Sequence, residues 1–371
     1  MSLFTDFALL PSLQATLTEK GFGKPTDIQS HALPILLDGR SLVGVAETGS
    51  GKTLAYALPI LHRLKGLENA GQPVFAERQP RAAVIVPTRE LGEQVSKVFK
   101  EFTHATRLRV RTVLGGTAFP VAKKNVAGTF EILVATPGRL VQLLDRELVN
   151  LADIRVLVFD EADQMLDQGF LPDAERIVSS CPPARQLALF SATVSPAVQN
   201  LMTGLFSGVE VFRSRGSHRV VPTLTTLNRT VLNGKRFPLL KEILAAPARG
   251  GTLIFTNTRD QCDEVATELR ESGHECRIYR GEMDKVKRRT NLRSFRKGEV
   301  GILISTDLAA RGLDVEHVER VINYHLPREM QNYIHRVGRT ARAGRRGLVI
   351  NFVTERDHLL VERLGGESVP R

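Results

Sequence analysis

Short apolar runs of about five residues recur along this chain, each separated from the next by a stretch with helical periodicity. In the first half the candidate strands are Ser41–Ala46, Ala82–Pro87, Ile132–Ala135, Val156–Phe159 and Leu187–Phe190. In the second half they are Thr252–Thr256, Glu275–Tyr279, Val300–Thr306, Arg320–Tyr324 and Gly347–Phe352. Helical patterns fill the gaps, among them Lys52–Leu64, Arg89–Phe102, Arg259–Ser272 and Val286–Arg296. Runs this short and this rich in Val, Ile and Leu suit strands buried on both faces. Strands alternating with helices imply parallel sheets built from βαβ units. A chain of 371 residues has room for two such α/β domains. The polar segment Ser207–Thr223 (SGVEVFRSRGSHRVVPT) marks the expected seam, giving a first domain over 1–210, a linker over 211–225 and a second domain over 226–371.

With 42% hydrophobic and 25% charged residues, the balance is that of a globular protein and excludes a disordered or collagenous chain. No window approaches the roughly 18 apolar residues of a transmembrane helix, and the opening MSLFTDFALLPSLQ lacks the basic start of a signal peptide. Cys181, Cys262 and Cys276 are odd in number and lack metal-ligand spacing, so they read as reduced thiols, and a cytoplasmic location is expected. The net charge of +11 is unevenly placed: residues 1–210 carry 21 Lys+Arg against 21 Asp+Glu, and the remainder carries 30 against 19. Two stretches dominate, Asp284–Lys297 (DKVKRRTNLRSFRK) and His335–Arg346 (HRVGRTARAGRR). Such a balance fits a polyanionic partner, nucleic acid or phosphate, or a well-solvated surface.

The sharpest local signal is Ala46-Glu-Thr-Gly-Ser-Gly-Lys-Thr53, which follows an apolar run and opens a helix. That is the setting a phosphate-binding loop requires. Gly49 and Gly51 permit the tight turn that points successive N–H groups at one anion, and the helix N-terminus adds positive potential there. Lys52 is expected at the β- and γ-phosphates and the Thr53 hydroxyl at Mg²⁺; Ala46 stands where the pattern usually has Gly. Asp160-Glu-Ala-Asp163 directly follows the run Val156–Phe159. An acid at the end of such a strand holds the metal in phosphate-loop enzymes, so Asp160 is expected at Mg²⁺ and Glu161 at the attacking water. Arg336, Arg339 and Arg342 recur at three-residue spacing, which on a helix would turn all three to one face and offer positive charge to a transferring phosphoryl group.

Taken in order, these residues resemble the DEAD-box ATP-dependent RNA helicases of superfamily 2 over nearly the whole chain. Phe4, then Gly21-Phe22 and Pro25-Thr-Asp-Ile-Gln29, look like the family's adenine-recognising Q motif; Ala46–Thr53 looks like motif I. Pro87-Thr-Arg-Glu-Leu91, Gly115-Gly116 and Thr136-Pro-Gly-Arg139 look like its first-domain RNA motifs, Asp160–Asp163 spells DEAD, and Ser191-Ala-Thr193 is similar to motif III. Leu253–Thr256 with Arg259, Ser305-Thr-Asp307 through Asp314, and His335–Arg342 resemble motifs IV, V and VI. The resemblance implies two tandem RecA-like domains, each a parallel sheet flanked by helices, with ATP and Mg²⁺ as cofactors. It implies ATP contacts by Phe4, Lys24, Gln29, Glu47, Thr48, Gly49, Ser50, Gly51, Lys52, Thr53 and Asp314, metal contacts by Thr53 and Asp160, and catalytic roles for Lys52, Asp160, Glu161, Arg339 and Arg342. RNA contacts are implied for Pro87, Thr88, Arg89, Gly115, Gly116, Thr136, Pro137, Gly138, Arg139, Arg259, Gly281, Arg288, Thr306 and Asp307, and coupling for Ser191, Thr193 and His335.

Four positions depart from the family's pattern: Asp27 for a Pro, Arg280 for a His, Lys285 for a Gln and His325 for an Asp. The implied activity is RNA-stimulated ATP hydrolysis by a monomer, coupled to local, non-processive separation of short RNA duplexes or to remodelling of RNA–protein complexes. An ATP-gated RNA clamp with little strand separation is the alternative, and the sequence does not name the RNA.

Overall fold

In the computed structural model the described residues are 3–47, 49–194, 198–199, 201, 204, 209–214, 224–246, 248–307, 315, 317–340, 346–357 and 361. They fall into two units, Met1–His218 and Arg219–Arg371.

In the first unit seven parallel strands form one sheet: β1 (Leu42–Val45), β2 (Ala82–Ile85), β3 (Val110–Val113), β4 (Ile132–Ala135), β5 (Val156–Phe159), β6 (Gln186–Ser191) and β7 (Glu210–Arg213). Their spatial order is β3-β4-β2-β5-β6-β1-β7. The helices are α1 (Pro11–Glu19), α2 (Asp27–Leu37), α3 (Lys52–Asn69), α4 (Arg89–Thr106), α5 (Phe119–Asn125), α6 (Pro137–Leu144), α7 (Ala162–Asp167) and α8 (Leu171–Ser179). Strand side chains alternate between two cores. Ala82 and Val84 pack in one with Phe99 and Phe190, while Ala83 and Ile85 pack in the other with Phe130 and Phe159. Burying each large apolar side chain contributes about 1.5–3 kcal/mol, which is why the central strands read as unbroken apolar runs.

The second unit repeats the plan with six parallel strands in the order β10-β11-β9-β12-β13-β8. They are β8 (Leu224–Thr230), β9 (Gly251–Thr256), β10 (Cys276–Tyr279), β11 (Ile302–Thr306), β12 (Val318–Asn323) and β13 (Gly347–Val353). The helices here are α9 (Arg236–Ala245), α10 (Arg259–Glu271), α11 (Lys285–Arg296) and α12 (Met330–Val337). Ile254 and Ile304 face one core, and Leu253, Phe255 and Leu303 the other. All three cysteines are buried, and burial pushes the Cys181 and Cys262 thiols up to about 12.

Three strands escape the sequence reading: β3, β7 and β8. Each lies at a sheet edge and carries polar, partly exposed side chains (VRTV, EVFR and LTTLNRT), so none forms a continuous apolar run. The expected linker over 211–225 accordingly begins inside β7 and ends inside β8. The sequence Asp357–Leu364 also has a helical pattern, and it lies largely outside the described residues.

The strand order has a direct consequence for function. In a parallel sheet the loops beyond the carboxyl ends of the strands form the ligand-binding edge. In the first unit β5, β6 and β1 are neighbours, and so are β3, β4 and β2. The phosphate-loop and acid motifs therefore occupy one part of that edge and the Pro87, Gly115 and Thr136 motifs the adjacent part.

Candidate nucleotide site and RNA face

The loop after β1 folds as its glycines require. Gly49 and Gly51 hold φ of 85° and 93°, in the left-handed region that costs glycine nothing. Gly51 forms the N-cap of α3, so Lys52 and Thr53 begin a helix whose free N–H groups face the loop. Lys52 is 6% exposed and donates from Nζ to the Ala46 carbonyl at 2.8 Å. The Ser50 hydroxyl donates to the Glu47 carbonyl at 2.7 Å, closing the turn. Thr48 lies outside the described residues.

Asp160, at the end of β5, is 2% exposed, and burial raises its carboxyl above the usual range while Lys52 opposes the shift. Its Oδ2 accepts the Tyr56 hydroxyl at 2.8 Å and its Oδ1 the Glu161 N–H at 3.0 Å. Glu161 is the N-cap of α7 at φ 50°, ψ 53° and is 5% exposed. Asp163 joins this strand to the next: its N–H donates to Ser191 Oγ at 3.2 Å, and its Oδ2 accepts the Thr193 N–H and hydroxyl at 3.0 and 2.9 Å. The Ser191 hydroxyl donates to the Thr193 carbonyl at 2.7 Å.

The adenine candidates are differently placed. Gln29 is 4% exposed; its Oε1 accepts the Thr26 N–H and its Nε2 donates to the Gly51 carbonyl, both at 2.9 Å. The amide thus ties α2 to the phosphate loop, and a Cβ at Gly51 would collide with it. Phe4 is 4% exposed, its ring 6.5 Å from that of Phe7 and its N–H bonded to the Gly23 carbonyl. Lys24 is exposed.

Beside this site the loops after β2, β3 and β4 converge. The Gly115 N–H donates to Thr136 Oγ1 at 2.9 Å, and Arg139 donates to the Thr117 carbonyl at 2.5 Å and to Gln142 at 2.7 Å. Arg89 reaches Thr117 Oγ1 at 3.5 Å and Glu93 at 2.8 Å. Thr88 caps α4 by accepting the Leu91 N–H, Pro87 is buried beneath it, and Gly116 turns with φ 77°. Pro137, Gly138 and Arg139 open α6, so the helix N-terminus and the two arginines share one polar, basic patch.

In the second unit Arg336 is the organising residue. It is 1% exposed and spends its guanidinium on Asp307, Asn257 Oδ1 (2.8 Å), Asn323 Oδ1 (3.1 Å) and the His325 carbonyl (2.5 Å), with its carbon 5.1 Å from the Phe255 ring centre. Burial and the cations Arg236 and Arg336 press His325 down to about 4. Helix α12 ends at Val337, so the helix expected to carry Arg336 and Arg339 on one face stops before Arg339. Arg339 sits in the following turn, 3% exposed, donating from Nε to the His335 carbonyl at 3.1 Å; His335 is 7% exposed. Thr306 is 7% exposed at the end of β11. Arg288 lies over the Tyr279 ring at 5.3 Å, Arg259 pairs with Glu282 near Gly281, and Arg280 grips Asp263 with bonds of 3.0 and 2.8 Å. Asp314 and Arg342 lie outside the described residues.

Tyr56, Thr117 and the buried role of Arg336 are absent from the sequence reading. Each is defined by a partner far along the chain, 104 residues away for Tyr56 and 29 for Arg336, and no local pattern reports such a partner.

Family models agree with this arrangement: a DEAD/DEAH box helicase model matches residues 26–201, and a helicase conserved C-terminal domain model matches residues 235–344. The ATP-dependent RNA helicase SrmB of Escherichia coli is 37% identical over 98% of this chain and 82% of its own length. The ATP-dependent RNA helicase CshA of Listeria monocytogenes is 33% identical over 96% of this chain and 67% of its own. Among the curated relatives compared, the share of their length that the chain spans runs from 58% to 86%. The structure of S. cerevisiae Dbp5 bound to RNA and ADP BeF3 superposes with a TM-score of 0.85 at 30% identity, over 98% of this chain and 92% of that one. With the phosphate loop, the acid after β5 and the polar patch beside them on one sheet edge, the chain belongs to the DEAD-box family of ATP-dependent RNA helicases.

Proposed function

We propose that this chain hydrolyses ATP in response to RNA and uses the cycle for local, non-processive opening of short duplexes or remodelling of RNA–protein complexes. The observation that carries the reading is the division of one sheet edge into phosphate chemistry at β5, β6 and β1 and a basic, glycine-rich face at β3, β4 and β2. Lys52 balances charge on the terminal phosphates, and Gln29 holds the loop shape or, by rearranging its amide, reads the adenine edge. The Thr53 hydroxyl and the Asp160 carboxylate suit Mg²⁺, a cation commonly bound by one or two protein oxygens together with substrate phosphates. Bound Mg²⁺ supplies charge neutralisation at the phosphate oxygens. Glu161, beside Asp160, takes a proton from the attacking water, and Arg339 and Arg342 stabilise charge on the transferring group; one such arginine is worth about 10³–10⁵ in rate.

RNA is held by Thr88, Arg89, Gly115, Gly116, Thr136, Gly138 and Arg139 in the first unit, with Pro87 and Pro137 shaping the two turns. Arg259, Gly281, Arg288, Thr306 and Asp307 serve in the second. Backbone contacts of this kind position a strand without reading its bases, and contacts to 2′-hydroxyls select RNA over DNA. The RNA-bound state of Dbp5 supports the reading.

Steady-state ATP hydrolysis with single-stranded RNA, with matched DNA and with neither is the test. Stimulation by RNA alone is expected; equal stimulation by DNA overturns the RNA preference. A flat response joined to tight RNA binding in the presence of an ATP analogue replaces the helicase reading with a clamp.

A further inference from the structure

The helix that opens at the phosphate loop carries a second polar group toward the acid of β5. Tyr56 lies one turn beyond Lys52 on α3 and is 1% exposed. Its ring packs near Phe190 and Phe99, with centroids 5.4 and 6.4 Å away, and its hydroxyl also neighbours the Thr53 side chain. The hydroxyl meets Asp160 Oδ2 at 2.8 Å, while the Glu161 N–H occupies Oδ1 at 3.0 Å.

We infer that Tyr56 is a positioning residue whose hydroxyl fixes the Asp160 carboxylate in the orientation that receives Mg²⁺. The inference rests on the reading of Asp160 as the magnesium acid. A carboxylate buried at 2% exposure needs donors to remain in place. Here both oxygens are fixed, one by the chain that leads into Glu161 and one by the helix that carries Lys52 and Thr53. A hydrogen bond that crosses from α3 to β5 thereby links the helix of the phosphate loop to the metal acid. Partners that hydrogen-bond to metal ligands typically change metal affinity by about 10–100-fold when removed.

The experiment titrates Mg²⁺ into the full chain mixed with a fluorescent ATP analogue and reads nucleotide binding, with no turnover required. Tyr56→Phe removes one oxygen and retains the ring. It is expected to raise the Mg²⁺ concentration for half-maximal binding about tenfold, with analogue binding in excess chelator unchanged. Thermal unfolding of both proteins without nucleotide or metal measures any loss of packing separately. A Mg²⁺ curve that superimposes on that of the parent overturns the inference, even where the melting temperature falls, because the hydroxyl then serves the fold alone. Asp160→Asn separates the two levels: if it leaves the Mg²⁺ dependence intact, the reading of Asp160 is wrong. If it abolishes that dependence while Tyr56→Phe does not alter it, only the role given to Tyr56 is wrong.

Discussion

Glu161 occupies a backbone conformation that a side chain does not adopt without support. At φ 50°, ψ 53° it sits in the left-handed region, which costs a non-glycine residue on the order of 1 kcal/mol or more. The structure holds it there: the Glu161 N–H is bonded to Asp160, and its carbonyl accepts the Met165 N–H as α7 begins. The turn delivers two acids in succession beyond one strand, the first bonded to the helix of the phosphate loop and the second at the head of a new helix. Glu161→Gln preserves the shape, the hydrogen-bonding backbone and the strain while removing the proposed base. Nucleotide and RNA binding should persist, and kcat should fall by about 10²–10⁴, the usual range for a general base. Single-turnover hydrolysis decides the matter, and a rate within a factor of two or so of the parent would remove Glu161 from the mechanism. At this scale the sequence exposes residues whose place follows from local spacing, such as Lys52 and Thr53 at the head of α3 and Asp160 after β5. It hides Tyr56 and Arg336, whose roles depend on carboxylates brought close only by folding.

Among the elements, β6 has the informative position, between β5 and β1. Its last residue and the two that follow reach the acid loop through Asp163, which accepts two bonds from Thr193 and donates one to Ser191. In the coupling role proposed for Ser191 and Thr193, a displacement of the acid loop during turnover would pass to the end of β6 through these bonds. Such charge-assisted bonds contribute about 1.5–3 kcal/mol each. Replacing both Ser191 and Thr193 with Ala removes both hydroxyls and leaves the strand intact. RNA-independent nucleotide binding should be retained, while the number of duplexes separated per ATP hydrolysed should fall by about tenfold, the effect of losing about one such bond. Parallel assays of strand separation and phosphate release check this, and an unchanged ratio would show that the connection is structural alone. The central strands were readable because both of their faces are buried. The edge strands β3, β7 and β8 were not, since one long side of each is uncovered by the sheet and their polar residues mimic loops. The expected helix does not reach Arg339, because α12 ends at Val337 and residue spacing alone does not report where a helix stops.

At the scale of the whole molecule, charge is partitioned along the chain. The first 210 residues balance and the rest carry the entire excess of 11 positive charges. Some of the basic residues are paired internally, as Arg336 with Asp307 and Arg280 with Asp263. Others stand exposed on α11, where Arg289, Arg293 and Arg296 face outward. The two ligands should consequently respond differently to salt. In the proposed site ATP would be held by the loop backbone and Lys52, which is buried, and buried pairs are screened only weakly. RNA held through its phosphates releases counterions, with a slope of log affinity against log salt of about −0.7 per contacted phosphate. Four to six contacts give a slope of about −3 to −4, so raising KCl from about 50 to 200 mM should weaken RNA binding by roughly two orders of magnitude. Over the same range the affinity for an ATP analogue without RNA should change by less than about threefold. Fluorescence titrations of labelled single-stranded RNA, with the analogue saturating at every salt concentration, measure the first slope. An RNA slope near zero would mean that the basic excess serves solubility and that stacking or hydrogen bonding to bases holds the strand, which would also require sequence preference where a backbone reader has none.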